Sequence, residues 1–439
     1  MSNRKKASKT SSDSLSKALE TVAEYIKSIS ANMEEFSGRT NPAIFFSVAD
    51  EGTLFLDAAE AEQYRKCLQL LIGAVASERI SAKAIEQLYQ KAILESIDIQ
   101  ERRRDQSFEK RLDKAIQGLR SAIRTKPYPF QVCYPVEGLA PDGLPFVFGN
   151  VTFRVLTAEQ TRAQIHGSDP QQASTKEQHE SLDAIHEMVQ EGLVGKPVGI
   201  LTVLATESEA AKTLALKELR LTFDVMNFFS DLIPFSNGYF FLPGDRFRTV
   251  VTTLITSGED KRNYSVSRQV VGPLAPLSAK MLGDVDQTRK VGLSAASQLL
   301  VKRKGDFQER LLSAIQWAGR ATTENRKEQA FLLYAIALES LVLADNEKDE
   351  LLYRLRTRVA HLIGEGVPSR KQLSKQVKDL YGIRSQIVHS GKYQVTDADF
   401  GRIRLVAKSC IIRILTDQTF ISMESTKDFI SWFDDRILN

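Results

Sequence analysis

The run Phe331–Leu343 is apolar nearly all round and is interrupted by Glu339 and Ser340. A helix without a polar face has to be enclosed by other elements, so this segment predicts a central buried helix with further helices packed about it. It is too short for a bilayer span, and Glu339 sits inside it. A carboxylate in such a position needs a partner, because an unpaired buried charge costs more than the surrounding apolar contacts return.

A complementary oddity lies downstream. Read as a helix, the segment from Leu373 places Leu373, Val377, Leu380, Ile387 and Val388 on one face, with Arg384 in the middle of that stripe. Arg384 is therefore expected either to pair with a carboxylate, Glu339 being the natural one, or to face a seam where an anion or a second subunit arrives. The neighbouring segments are also helical in pattern. Phe307, Leu311, Ile315 and Ala318 recur behind Asp306 as an N-cap, and Lys348–Leu362 forms the next helix. After a break at Gly364–Pro368 a helix runs from Arg370 to His389 and ends with Gly391 at C′. Thr396–Asp399 resembles a capping box ahead of Phe400, Ile403, Cys410, Ile411 and Ile414. Residues 284–439 are expected to be an all-α bundle.

Upstream the texture differs. Residues 1–14 carry Arg4, Lys5, Lys6 and Lys9 among serines and threonines and are expected to be a disordered basic tail. Residues 15–125 show helical spacing through Leu15, Leu19, Val22 and Ile26, through Leu68, Leu71, Ile72 and Val75, and through one long run from Ser81 to Arg124. Within that run Glu101–Asp105 reads as a solvated helix face in preference to an RNA-facing patch. Residues 126–283 hold most of the prolines and glycines. Strands are predicted at Val151–Val155, Val198–Leu204 and Arg248–Ile255, a helix over Glu207–Phe228, and a hairpin loop at Ser257–Asn263 leading into Tyr264–Val271. The expected fold class is α+β multidomain: a helical N-terminal segment, a small α+β middle domain and an all-α C-terminal bundle.

With 439 residues, 42% of them hydrophobic, and a net charge of +4, the chain reads as an ordinary globular protein whose charge permits a nucleic-acid partner without requiring one. Cys67, Cys133 and Cys410 are far apart in sequence, which fits a reducing cytoplasm and offers no cysteine zinc site. The N-terminus is polar and basic, unlike a secretory leader. No phosphate-cradling Gly-rich loop is visible, since Gly192–Pro197 has the wrong length. His166, His179 and His186 lack the spacing of a metal site and read as surface histidines. No cofactor, metal or membrane is expected.

Two Arg-x4-His spacings occur, Arg356 to His361 and Arg384 to His389. The first lies in a helix dense with arginines, where such a match arises cheaply. The second has a polar residue after the arginine, an apolar pair before the histidine and a small Ser-Gly exit. Tyr381–Gly391, preceded by Phe331–Leu341 and Arg358–Ala360, resembles the HEPN superfamily, in particular the ApeA-like HEPN branch of prokaryotic anti-phage defence proteins. The likeness covers roughly the last third of the chain. It implies a metal-independent endoribonuclease that works as a homodimer through the C-terminal bundle, with Arg384 and His389 as the catalytic pair. By analogy with the family's architecture, the N-terminal regions would sense a phage-derived or other trigger.

The residue chemistry is compatible with that role. A 2′-hydroxyl that attacks its own phosphate needs a proton carrier and a cation. Histidine is the side chain whose ordinary pKa lies nearest neutrality, and a guanidinium fork can hold the non-bridging oxygens. Glu339 is expected to orient Arg384. Ser385 offers a hydroxyl to the same site or is a plain surface serine, and Tyr381 and Tyr393 either stack on a base or pack. In an unbroken helix a five-residue separation turns two side chains about 140° apart. Either the helix loosens before His389, or a second subunit completes the site. The rival reading is a HEPN domain used for dimerisation or RNA binding without cleavage, the α+β domain being the working part. A toxin silenced by nucleotide transfer to tyrosine ranks last, because that arrangement expects His-x-Tyr and here Ser390 and Gly391 follow His389.

Overall fold

A computed structural model describes residues 2–32, 44–48, 52–75, 79–97, 108–165, 187–234, 238–245, 249–257, 263–271, 276–343, 350–390 and 394–438. The chain is mostly helical, with one small four-stranded antiparallel sheet. It divides into two compact units, one of residues 1–132 with 202–216, the other of residues 133–201 with 217–439. No helix among the described residues is long and apolar enough to cross a membrane.

The first unit contains helices α1 (Ser2–Asn32), α2 (Ala58–Val75), α3 (Ala82–Ser96) and α4 (Phe108–Ile123), and the paired strands β1 (Ile44–Val48) and β2 (Gly52–Leu56). The α1 backbone is helical through the stretch expected to be a tail, and its buried face begins at Leu15. Two further findings differ from the sequence reading. The β1–β2 ribbon lies in a region expected to be wholly helical. The run expected from Ser81 to Arg124 is two helices, α3 ending where Ile97 turns extended at φ −102° and ψ 113°. Residues 101–105 fall outside the described residues. Ser81 caps α3 by accepting from Ala84 N at 3.1 Å, and Asp57 and Glu60 exchange side-chain to backbone bonds at the start of α2. At the centre Tyr64 stacks on Tyr89 with ring centroids 5.0 Å apart, and Tyr25 tilts onto Tyr89 at 6.4 Å.

The sheet has the order β3-β6-β5-β4, from β3 (Tyr128–Pro135), β4 (Phe146–Phe148), β5 (Val151–Val155) and β6 (Pro197–Ala205). Short helices α5 (Ala158–Ile165) and α6 (187–193) follow β5 in the chain. Helix α7 (Ser208–Ser230) follows β6, and β7 (Thr249–Ser257) pairs with β8 (Asn263–Val271) as an antiparallel hairpin. Strands β5, β6, β7 and β8 and helix α7 lie where the sequence pattern places them, whereas β3 and β4 were not anticipated.

From Ala279 onward every regular element among the described residues is a helix: α8 (Ala279–Arg289), α9 (Leu293–Val301), α10 (Asp306–Thr323), α11 (Lys327–Val342), α12 (Leu351–Ile363), α13 (Gly366–Ser390), α14 (Asp397–Thr416), α15 (Gln418–Ile421) and α16 (Thr426–Leu438). Helix α11 is the enclosed one, with Phe331, Tyr334, Ala337, Leu338, Leu341 and Val342 buried. Gly319 lets α10 approach α7 closely, because a Cβ there would lie 1.7 Å from the Asp224 carbonyl oxygen. Thr396 caps α14 as expected, accepting from Asp399 N at 3.1 Å. Asp306 is not the α10 cap: Gly305 holds that position, and the Asp306 carboxylate accepts from Thr426 N at 3.3 Å, fixing the start of α16. The Thr426 side chain, and to a lesser extent its backbone N–H, hold the Asp306 carboxyl below the usual range.

Candidate functional site

The C-terminal half of α11 is ringed by arginines. Arg310 from α10 donates to the Ser340 carbonyl at 2.8 Å, and buried Arg358 from α12 donates to the Val342 carbonyl at 2.9 Å. Both satisfy carbonyls that the end of a helix leaves without an internal donor. Arg384 from α13 completes the ring through Glu339, the partner anticipated from the sequence. Its Nε lies 3.1 Å from Glu339 Oε1 without the alignment of a hydrogen bond, and its Nη2 donates to Oε2 at 3.5 Å. A tight arginine–carboxylate fork has both bonds at about 2.7–2.9 Å. The pair is thus loose: Glu339 steers the guanidinium without clamping it. The two side chains are 26% and 23% exposed, so one edge of the arginine remains open to solvent. The Tyr381 ring lies beneath the guanidinium, 5.8 Å from centroid to Cζ.

Helix α13 continues without a break from Gly366 to Ser390, so it does not loosen before His389. The two motif side chains therefore leave the helix about 140° apart. Arg384 is half-buried against α11, whereas His389 is exposed in the last turn, and Ser385 is half-buried beside the arginine. One copy of the chain does not turn Arg384 and His389 to a common point. Gly391 and Tyr393 lie outside the described residues, as do His166, His179 and His186. Among the described residues no three His, Cys, Asp or Glu side chains gather where they could hold a metal ion.

The other Arg-x4-His pair occupies a different setting. Arg356 and His361 on α12 line a cleft of about 520 Å³ against α13, whose Arg370, Lys371, Lys375 and Lys378 form the facing wall. The sequence reading passed over this group as a chance match in an arginine-rich helix. A legible signal was present, since Lys371, Lys375 and Lys378 recur at helical spacing without an intervening carboxylate. No family model matches the chain, and neither a curated protein nor a solved structure matches it.

Proposed function

We propose that the chain is a HEPN-type endoribonuclease, acting as a homodimer in a reducing cytoplasm as an effector of anti-phage defence, with its remaining regions receiving the trigger. The observation that supports this reading is the pairing of an unbroken α13 with a solvent-open Arg384. An exposed histidine and a half-buried arginine that diverge on one helix make a complete site only when a second copy supplies the missing half.

In the proposed reaction His389 takes the proton of an RNA 2′-hydroxyl as its oxygen attacks the adjacent phosphorus. Arg384 neutralises the charge that builds on the non-bridging oxygens. The bond to the 5′-oxygen breaks, and that oxygen leaves with a proton from the second histidine. The products carry a 2′,3′-cyclic phosphate and a 5′-hydroxyl. Glu339 and Ser385 stand as supporting residues, the first by steering the guanidinium.

A second reading is favoured by the Arg384–Glu339 contact itself. If Arg384 serves only to complete the ring about α11, the bundle is a dimerisation or RNA-binding domain without cleavage, and the α+β region is the working part. Total RNA incubated with pure protein in EDTA separates the two, beside Arg384→Ala and His389→Ala and with light scattering on the same samples. Cleavage by a dimeric parent, cyclic-phosphate ends and loss in both variants support the nuclease. RNA that His389→Ala still cuts, or a monomer that cuts, overturns it.

A further inference from the structure

We propose that the cleft between α12 and α13 is a track for the phosphodiester backbone of a single-stranded polynucleotide. The inference goes beyond the nuclease reading and needs no cleavage. Arg356, His361, Arg370, Lys371, Lys375 and Lys378 line the cleft, and among the described residues no Asp or Glu side chain does. Between Leu351 and Ser390 the only acidic residues are Glu365 and Asp379, and both lie outside the lining. The three lysines stand at i, i+4 and i+7 on one face of α13 and make no ion pair among the described residues. At 1.5 Å per residue they span about 10 Å, a row of charges and not a single point.

Like charges at this spacing repel and destabilise the helix that carries them. A row of phosphates reverses the sign of that interaction and releases counterions as it binds. The volume is that of a small-ligand cleft. Tyr353, 49% exposed on the same α12 face, carries the Arg356 guanidinium at 5.4 Å from its ring. An exposed aromatic beside a cationic groove gives an unpaired base a stacking surface, which a duplex does not need. His361 is oriented by a 2.9 Å contact between Nδ1 and the Thr357 carbonyl, and the Ser374 and Thr357 hydroxyls line the same cleft.

The test is fluorescence anisotropy on the full chain with a short single-stranded DNA, which has no 2′-hydroxyl and so reports binding apart from cleavage. The same RNA sequence is measured on His389→Ala, and a duplex and inorganic polyphosphate complete the set. Changing Lys371, Lys375 and Lys378 together to Ala should weaken single-strand binding about 100-fold near 0.1 M salt and flatten the slope of log K against log salt by about 2. The triple change to Arg should keep binding. Tyr353→Ala should weaken oligonucleotide binding and leave polyphosphate binding unchanged. The proposal fails if the triple Ala variant, with melting unchanged, binds as the parent does. It also fails if the duplex binds more tightly than the single strand, or if polyphosphate matches the oligonucleotide and Tyr353→Ala changes neither.

Discussion

Lys408 of α14 is buried against the end of α7, where its Nζ donates to the Phe228 carbonyl at 2.6 Å and lies 2.9 Å from Asp231 Oδ2. Asp231 also meets Arg404 at 2.7 Å. Burial pushes the Lys408 ammonium down to about 8 from 10.5, Asp231 opposing the shift. Held there, the charge costs about 3 kcal/mol at neutral pH relative to the unfolded chain. The two partners should therefore respond unequally to mutation. Lys408→Met removes the buried charge and leaves Asp231 paired with Arg404, so we expect a stability change within about 1 kcal/mol. Asp231→Ala leaves the ammonium with a carbonyl alone, at a cost of about 3–5 kcal/mol. That loss corresponds to a fall in Tm of roughly 5–8 °C for a unit of this size, and adding Lys408→Met to it should recover most of the fall.

The pH dependence supplies a second readout. The folded pKa lies below the unfolded one, so the unfolded chain holds the extra proton between about pH 8 and 10.5. Stability missing below that window returns as the pH rises through it. Thermal unfolding from about pH 7 to about pH 9.5 should show a rise in the parent that Lys408→Met lacks. The reasoning is refuted if Lys408→Met loses as much stability as Asp231→Ala, or if both proteins show the same alkaline rise.

Three further outcomes follow from single contacts. Gly319→Ala should cost at least about 3 kcal/mol by forcing α10 off α7, whereas Gly401→Ala, exposed on α14 with open space around it, should gain about 0.5–1 kcal/mol in chemical denaturation. Burial raises the hydroxyl pKa of Tyr25, Tyr64 and Tyr89 above the ordinary 10.0. Stability they contribute is present below that value and lost as the pH rises past it, so hydrogen exchange in the first unit should accelerate steeply above pH 10. Glu339→Gln removes the charge that steers Arg384; on the nuclease reading kcat should fall while Tm changes by only a few degrees, and an unchanged kcat would detach Glu339 from the site.

Much of the helical region was legible because one period governs it. The all-round apolar pattern of Phe331–Leu343 requires enclosure, and α11 is enclosed; Thr396 and Asp399 carry their capping chemistry in side chains that are visible in the sequence. The β1–β2 ribbon was not legible, because IFFSV and GTLFL are short apolar runs without alternation, which periodicity does not separate from helix. The α3–α4 division was hidden for the converse reason, the apolar residues on either side keeping a helical spacing. Asp306 was misassigned because a cap and a bond to another helix use the same carboxylate, and sequence spacing reports only the first. For the candidate site, the Glu339–Arg384 pair could be anticipated from two misplaced charges. For the α12–α13 cleft the sequence shows the lysine row of one wall but not the cleft, which exists only once the two helices face each other.

The contrast between α13 and other helices bears on what that cleft is for. Elsewhere charges four residues apart pair up along the helix surface, as Glu62 with Lys66 at 2.7 Å, Lys91 with Glu95 at 3.7 Å and Arg413 with Asp417 at 2.9 Å. Each such pair adds a few tenths of a kcal/mol to its helix. Lys371 and Lys375 have the same spacing and repel instead. A helix selected for stability alone would carry a glutamate at one of those positions, so Lys371→Glu should raise Tm slightly while weakening strand binding, at a site separate from Arg384 and His389. If that substitution instead left binding intact and Tm unchanged, the row of lysines would be no more than a solvated face.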